Sequence, residues 1–347
     1  MLQIKQRLSW LDIAKAITIF LVVFGHVLRG GAAHKIVYSF HVAAFFLLSG
    51  VTCKTNHLKQ RIKNDFLRIM VPYYFFSILS IIIFYFLGNF AAGRFNLSVN
   101  TSLWHNLVGM LYACPTNDYL KYNLPLWFLP CLFVTKLLYY ALSRLCKEKQ
   151  SLVFLCSLFL AVFAAIYTHF IGTGLPFNLS VAPKMLVFFS FGQLSSSQLS
   201  LIKNRYRSTL LGILLLITVG MIATISPGID YASDHFPNYT TFLATAFAGS
   251  FGICFLSIGL CNSKALEHVG KSTLPILLMH KFPVLLFQTV GPLKTVLTEY
   301  DSPAGIIAAI AVSIVSIVLC LIADWVIRRW FPFLLGDFSR NHPHHSK

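Results

Sequence analysis

Apolar residues run in long blocks along the chain, separated by short polar stretches. A membrane span needs ~20 mostly apolar residues. The blocks at 9–29, 36–53, 70–88, 124–143, 152–171, 182–199, 208–226, 240–261, 272–290 and 304–327 meet that need. The block at 101–114 is apolar but short, which predicts an interfacial or re-entrant piece rather than a further span. The expected fold class is an all-α polytopic membrane protein with about ten transmembrane helices. One transmembrane domain is expected over residues 1–335, followed by a polar tail over 336–347.

Lys and Arg set the expected sidedness. With the N-terminus inside, 19 of them fall on the cytoplasmic side, in clusters such as Lys54, Lys59, Arg61, Lys63 and Arg68, and 5 fall on the other. That bias follows the positive-inside rule, so both termini are expected in the cytoplasm. It also explains the formal charge of +17 without any nucleic-acid partner. Only 11% of the residues are charged, against roughly 25% in soluble domains. The block Trp10–Leu28 is too long for a signal-peptide core and is read as a retained span. The 8 cysteines show no metal-ligand spacing and no secreted disulfide framework, and no metal is expected.

A charge inside a membrane helix is costly unless it faces protein, water or a ligand. The first block carries Asp12, Lys15 and His26. At about 100° per residue, Lys15 and His26 lie about 20° apart around a helix, and Asp12 lies about 40° from His26. The three share one face, opposite a face of Ile, Leu, Val and Phe. Asp12 with Lys15 reads either as a structural ion pair at the inner interface or as part of a site. His26 alone would read as a satisfied core histidine. His41 follows after a short connection, and the two histidines fall at similar depth in the outer half, a plausible general-base site. His280, with Lys281 beside it, is a third candidate and reads equally well as core packing. Lys136 and Lys184 are read as snorkelling to an interface. Asp324 and Arg328 are read as a structural i,i+4 pair, and His342, His344 and His345 as a floppy tail without a metal.

Five segments carry a resemblance. Leu11-Asp12-Ile13-Ala14-Lys15-Ala16 leads into Val22-Val23-Phe24-Gly25-His26, and Phe40-His41 into Phe45-Phe46-Leu47-Leu48-Ser49-Gly50. Arg68-Ile69-Met70-Val71-Pro72-Tyr73, Pro125-Leu126-Trp127-Phe128-Leu129 and Gly270-Lys271-Ser272-Thr273 up to His280 follow in order. Together they resemble the acyltransferase-3 family of integral membrane acyltransferases. They cover roughly residues 8–75, 124–133 and 266–282. Lys15 stands where that family usually has Arg, as in the branch resembling fucose 4-O-acetylase, and Ala43-Ala44 replaces the Met/Pro-Leu often seen there.

The resemblance implies an acyl-CoA donor, usually acetyl-CoA, and a carbohydrate acceptor from the cell envelope or a secreted glycan, free or lipid-linked. It also implies residence in a bacterial plasma (inner) membrane. On this reading His26 or His41 is the base, with His26 preferred, and Asp12 balances Lys15. Lys15 and Arg68 contact the donor, while Trp127 and His280 bind substrate. Lys15 and His26 are about 16 Å apart along the axis, comparable to an extended pantetheine arm. The rival reading is a glycan exporter or proton-coupled transporter using the same intramembrane polar residues. A receptor or scaffold is a third reading, and it gives no reason for a polar stripe.

Overall fold

The computed structural model describes residues 9–95, 102–202, 204–289 and 291–338. Lys5, Arg7, Lys203, Arg340, Lys347 and the tail histidines His342, His344 and His345 lie outside the described residues. In chain order the helices begin with α1 (Ser9–Val27), the bent pair α2 (Gly31–Tyr38) and α3 (His41–Val51), and α4 (Leu58–Asp65). A π turn at Phe66–Met70 carries α4 into α5 (Val71–Phe95). Then come α6 (Leu103–Tyr112), a 3-10 segment at Lys121–Trp127, α7 (Phe128–Leu145), α8 (Gln150–Phe170) and α9 (Ala182–Leu201). The remainder is α10 (Arg205–Ile225), α11 (Tyr239–Gly259), α12 (Lys264–Lys271), α13 (Thr273–Met279), α14 (Lys281–Thr289), α15 (Gly291–Thr298) and α16 (Pro303–Trp330).

Eight of the predicted spans coincide with helices long and apolar enough to cross a bilayer, and the chain is an all-α, multi-pass integral membrane protein. The other two have different characters. The block 182–199 is α9, whose first half is fully buried and whose second half carries Gln193 and Ser195 to Ser197. Packed against α3, α7 and α8, it has little need of a lipid-facing apolar surface. The block 272–290 is not one regular helix. It continues from α12 and is interrupted at Ser272 and again at His280. Pro275 and Pro283 flank the second interruption, and Pro283 has no N–H to give the carbonyl four residues back. The 10 residues of α6 extend only about 15 Å, half the hydrocarbon thickness.

α1 is the hub, touching α3, α11, α12, α13, α14 and α16. Of its apolar window 72% is buried, against 22% in α8 and α10, which present Phe159, Phe163, Leu214 and Ile217 outward. The polar stripe of α1 therefore faces protein, as its periodicity predicts.

The innermost contact, α3 on α9, is a backbone approach. A Cβ placed on Gly50 would run into the Phe189 carbonyl oxygen, and one on Gly192 into that of Leu47. The two glycines are reciprocal: each gives up its side chain to admit the opposite backbone, the usual basis of close helix packing in membranes. Gly50→Val must force the two backbones apart, and overpacking of this kind costs about 1–3 kcal/mol or more. We expect a lower melting temperature and a smaller monodisperse fraction in detergent; an unchanged thermal transition would show that this contact is not tight.

Candidate active site

Several pieces of chain meet at the last turn of α1. His26 and Val22 come from α1, and Tyr38 and His41 from the bend between α2 and α3. Leu124, Pro125 and Trp127 come from the 3-10 segment, and Asp230 and Tyr231 from the loop between α10 and α11. They enclose about 520 Å³ of empty space counting its mouth. This is a narrow slot. The bend that presents His41 arises where the Ser39 hydroxyl donates to the Ile36 carbonyl at 2.7 Å and the Phe40 ring wedges against Gly249 of α11. A serine that bonds its own backbone competes with regular helix.

The imidazoles are held in defined tautomers. His41 Nδ1 lies 2.8 Å from the Val37 carbonyl, four residues back. A carbonyl only accepts, so Nδ1 carries the proton and Nε2 keeps the basic lone pair. His280 does the same at the break between α13 and α14, with Nδ1 at 2.9 Å from the Ile276 carbonyl and 3.0 Å from that of Leu277. Its Nε2 is buried and makes no hydrogen bond. The His280 and His26 ring centroids are 5.2 Å apart. Tyr38 joins the group: its ring centroid is 6.3 Å from that of His26, 4.8 Å from His41 and 3.9 Å from His34. Four histidines, His26, His34, His41 and His280, separated by up to 254 residues in sequence, thus share one neighbourhood.

Amide side chains hold the walls. Gln288 Nε2 donates to the His26 and Val27 carbonyls, both at 3.0 Å, so α14 satisfies the carbonyl end of α1. Asn178 Nδ2 donates to the carbonyls of Ala113 at 2.8 Å and Trp127 at 3.3 Å, fixing the indole's backbone. Asn123 Nδ2 reaches Ser80 at 3.1 Å and the Leu278 carbonyl at 3.0 Å, tying the 3-10 segment to α5 and α13.

Among the residues singled out in the sequence, His26, His41 and Trp127 line the slot, and His280 stands against His26. Asp12, Lys15 and Arg68 are not part of the lining. Asp12 is buried at the other end of α1, with its backbone carbonyl beneath Gly270 of α12. It lies about 21 Å along the axis from His26. Arg68 is exposed on the π turn. The residues the sequence did not disclose are Tyr38, Asp230, Tyr231, His34 and Gln288. The signal in the sequence was Asp230 and Asp234 in a loop, 226–239, free of Lys and Arg.

Two lysines depart from the snorkelling expectation. Lys136 pairs with Asp65, which also accepts from the Tyr140 hydroxyl at 2.7 Å. Lys184 is fully buried and donates to Asp234 Oδ1 at 2.6 Å and to Thr168 at 3.0 Å. Burial pushes the Asp234 carboxyl above the usual carboxylate range, while the Lys184 ammonium pulls it back. A carboxylate from another segment meets each lysine; the Lys184 side chain is 2% exposed and that of Lys136 18%. The Asp324 and Arg328 pair forms as expected at 2.7 Å, and Asp324 also accepts from Ser272 at 2.6 Å. Among the described residues no group of 3 or more His, Cys, Asp or Glu side chains is placed to share a metal ion.

A bundle of membrane helices enclosing a narrow slot lined by histidine, tyrosine and tryptophan defines a multi-pass membrane protein with general-base chemistry at hand. A family model described as an acyltransferase domain matches residues 8–325. The chain belongs to this family, acyltransferase-3, and is a membrane acyltransferase. Neither a curated protein nor a solved structure matches it.

The buried Lys184–Asp234 pair gives a clean stability test. Both side chains are only 2% exposed, and removing one partner of such a pair costs about 3–5 kcal/mol. Lys184→Met should lower the melting temperature sharply, and Lys184→Met combined with Asp234→Leu should recover most of the loss. A single variant as stable as the wild type would contradict the burial.

Proposed function

We propose that this chain is an acyl-CoA-dependent O-acyltransferase that moves an acetyl group onto a hydroxyl of a cell-envelope or secreted glycan. One observation carries the reading. The histidine slot sits at one end of α1, and Lys15 sits on the same helix about 16 Å away, the reach of a pantetheine arm. The donor's phosphates lie at the cytoplasmic end, with Lys15 as a charge-assisted contact and Arg68 as a second. Asp12 balances Lys15. The thioester reaches the slot, which is too narrow to admit more than the end of the arm.

In the slot, His26 takes the proton from the acceptor hydroxyl as its oxygen attacks the thioester carbonyl. His41, with its Nε2 lone pair free, is the alternative base. The carbon–sulfur bond breaks as the ester forms, and the imidazolium returns the proton to the departing thiolate, so no net proton is consumed. His280 steadies the His26 ring, and Trp127 provides the apolar wall against which the acyl group or a sugar face packs. The same reading makes residues 1–335 one transmembrane unit in a bacterial inner membrane, with both termini inside and an acceptor approaching from the outer side.

His26→Ala should lower turnover by about 10²–10⁴-fold, the usual contribution of a positioned acid–base group, while the protein still inserts and purifies as a monodisperse species. Acyl-CoA consumption at the wild-type rate would remove His26 from the chemistry. In sealed vesicles given acetyl-CoA on one face and acceptor on the other, transfer should occur across the membrane. Transfer only when both are supplied on the cytosolic face would reject the through-membrane route.

A further inference from the structure

A second cavity lies on the other side of the loop between α10 and α11, bounded by the C-terminal end of α8 and the start of α9. It holds about 1160 Å³ of empty space counting its open mouth, against about 520 Å³ for the slot counted the same way. With its mouth discounted, that is room for a ligand site, roughly 300–1,000 Å³. Its polar side is made by Thr168, His169, Lys184, Asp234 and His235, and its aromatic side by Phe236 and Tyr239.

The chemistry of this lining selects among ligands. Lys184 is the only Lys or Arg in it, and its charge is taken up by Asp234 and by the Phe236 ring, whose centroid is 5.3 Å from Nζ. An anionic ligand therefore finds no free cation here. A neutral polyhydroxylated ligand finds a hydroxyl, two imidazoles and a carboxylate beside aromatic faces. The Tyr239 hydroxyl is buried and makes no hydrogen bond, which is uncommon for buried polar atoms, and the Asp234 carboxylate has Ser180 as well as Lys184 beside it. Val162, Ile166 and Phe170 on α8, exposed by 53%, 52% and 78%, continue the cavity onto the lipid-facing flank.

The two cavities share one partition. Asp230, Tyr231 and Ala232 line the slot, while Asp234, His235, Phe236 and Pro237 line the second cavity. Paired backbone bonds between Asp230 and His235, 3.0 and 2.8 Å, close this short loop on itself. The Tyr231 ring stands between them, 5.9 Å from the His41 centroid on one side and 5.4 Å from the Phe236 centroid on the other. A ligand in the second cavity is one aromatic ring, that of Tyr231, away from His41, the alternative base.

We infer that the second cavity is the acceptor site, that it binds the glycosyl headgroup of the acceptor, and that the α8 flank receives the lipid when that headgroup is lipid-linked. The inference rests on the acyltransferase reading above. The test uses cells lacking the gene, complemented with wild type, Thr173→Trp, Phe236→Ala or Tyr239→Phe. Thr173 is an exposed rim residue, so its replacement fills the cavity without removing any packing. Acyl esters are measured by mass spectrometry in the glycolipid fraction and in mature glycans, and acetyl-CoA binding is measured on each purified protein in nanodiscs. Thr173→Trp and Phe236→Ala should lower the ester about tenfold or more, and Tyr239→Phe about threefold or more, with acetyl-CoA affinity within about twofold of wild type. Ester in the glycolipid fraction identifies a lipid-linked acceptor; ester confined to mature glycans identifies a free one. Wild-type ester levels in all three variants overturn the inference, as does loss of acetyl-CoA binding in the folded variants, which would make this a donor site. Absence of any gene-dependent ester with the wild type overturns the acyltransferase reading on glycans, and this inference with it.

Discussion

Everything in this molecule depends on keeping polar groups partnered inside a bundle whose outside is lipid. Lipid tails cannot satisfy an ammonium, a carboxylate or an imidazole, so each must find protein. α1 carries Asp12, Lys15 and His26 on one face and lies at the centre of the bundle, where α3, α11, α12 and α16 surround it. α8 and α10 carry almost no such residues and lie outside, presenting phenylalanine and leucine to the bilayer. The radial order of the helices follows their burden of polar groups.

Within that order, the site forms where helices are broken. The bend at Ser39–Phe40 exposes the start of α3, the interruption at His280 frees the turn before α14, and the 3-10 segment Lys121–Trp127 delivers Trp127 without spending a full helix. Irregular backbone at membrane depth is tolerated where it is buried in protein. Here amide side chains do that satisfying: Gln288 for the end of α1, Asn123 and Asn178 for the segment around Trp127. Rigid supports of this kind matter for a base, because proton transfer needs a fixed approach within hydrogen-bond reach.

The loop between α10 and α11 joins the polar core to the outer surface. Asp234 descends from it to meet Lys184, and Tyr231 descends from it to stand beside His41. A desolvated ion pair is a poor source of net stability but a strong selector of position, because either partner alone is heavily penalised. On this view Lys184–Asp234 fixes where the loop sits, and the loop fixes the wall between the two cavities.

The linear pattern by itself determined the helical class, eight of the spans and the inward face of α1, and it singled out His26, His41 and Trp127, which line one slot, because hydrophobic length, helical period and the cost of buried charge are local properties of a segment. It also marked His280, but could not distinguish packing from proximity to His26. Tertiary structure alone decided that Tyr38 lies among three histidines, that Lys136 and Lys184 meet Asp65 and Asp234, and that the block 272–290 is interrupted at His280. Those facts depend on which distant segment arrives first at a given side chain. In a bundle whose helices are nearly all apolar, no periodicity along one helix specifies the neighbour it will meet.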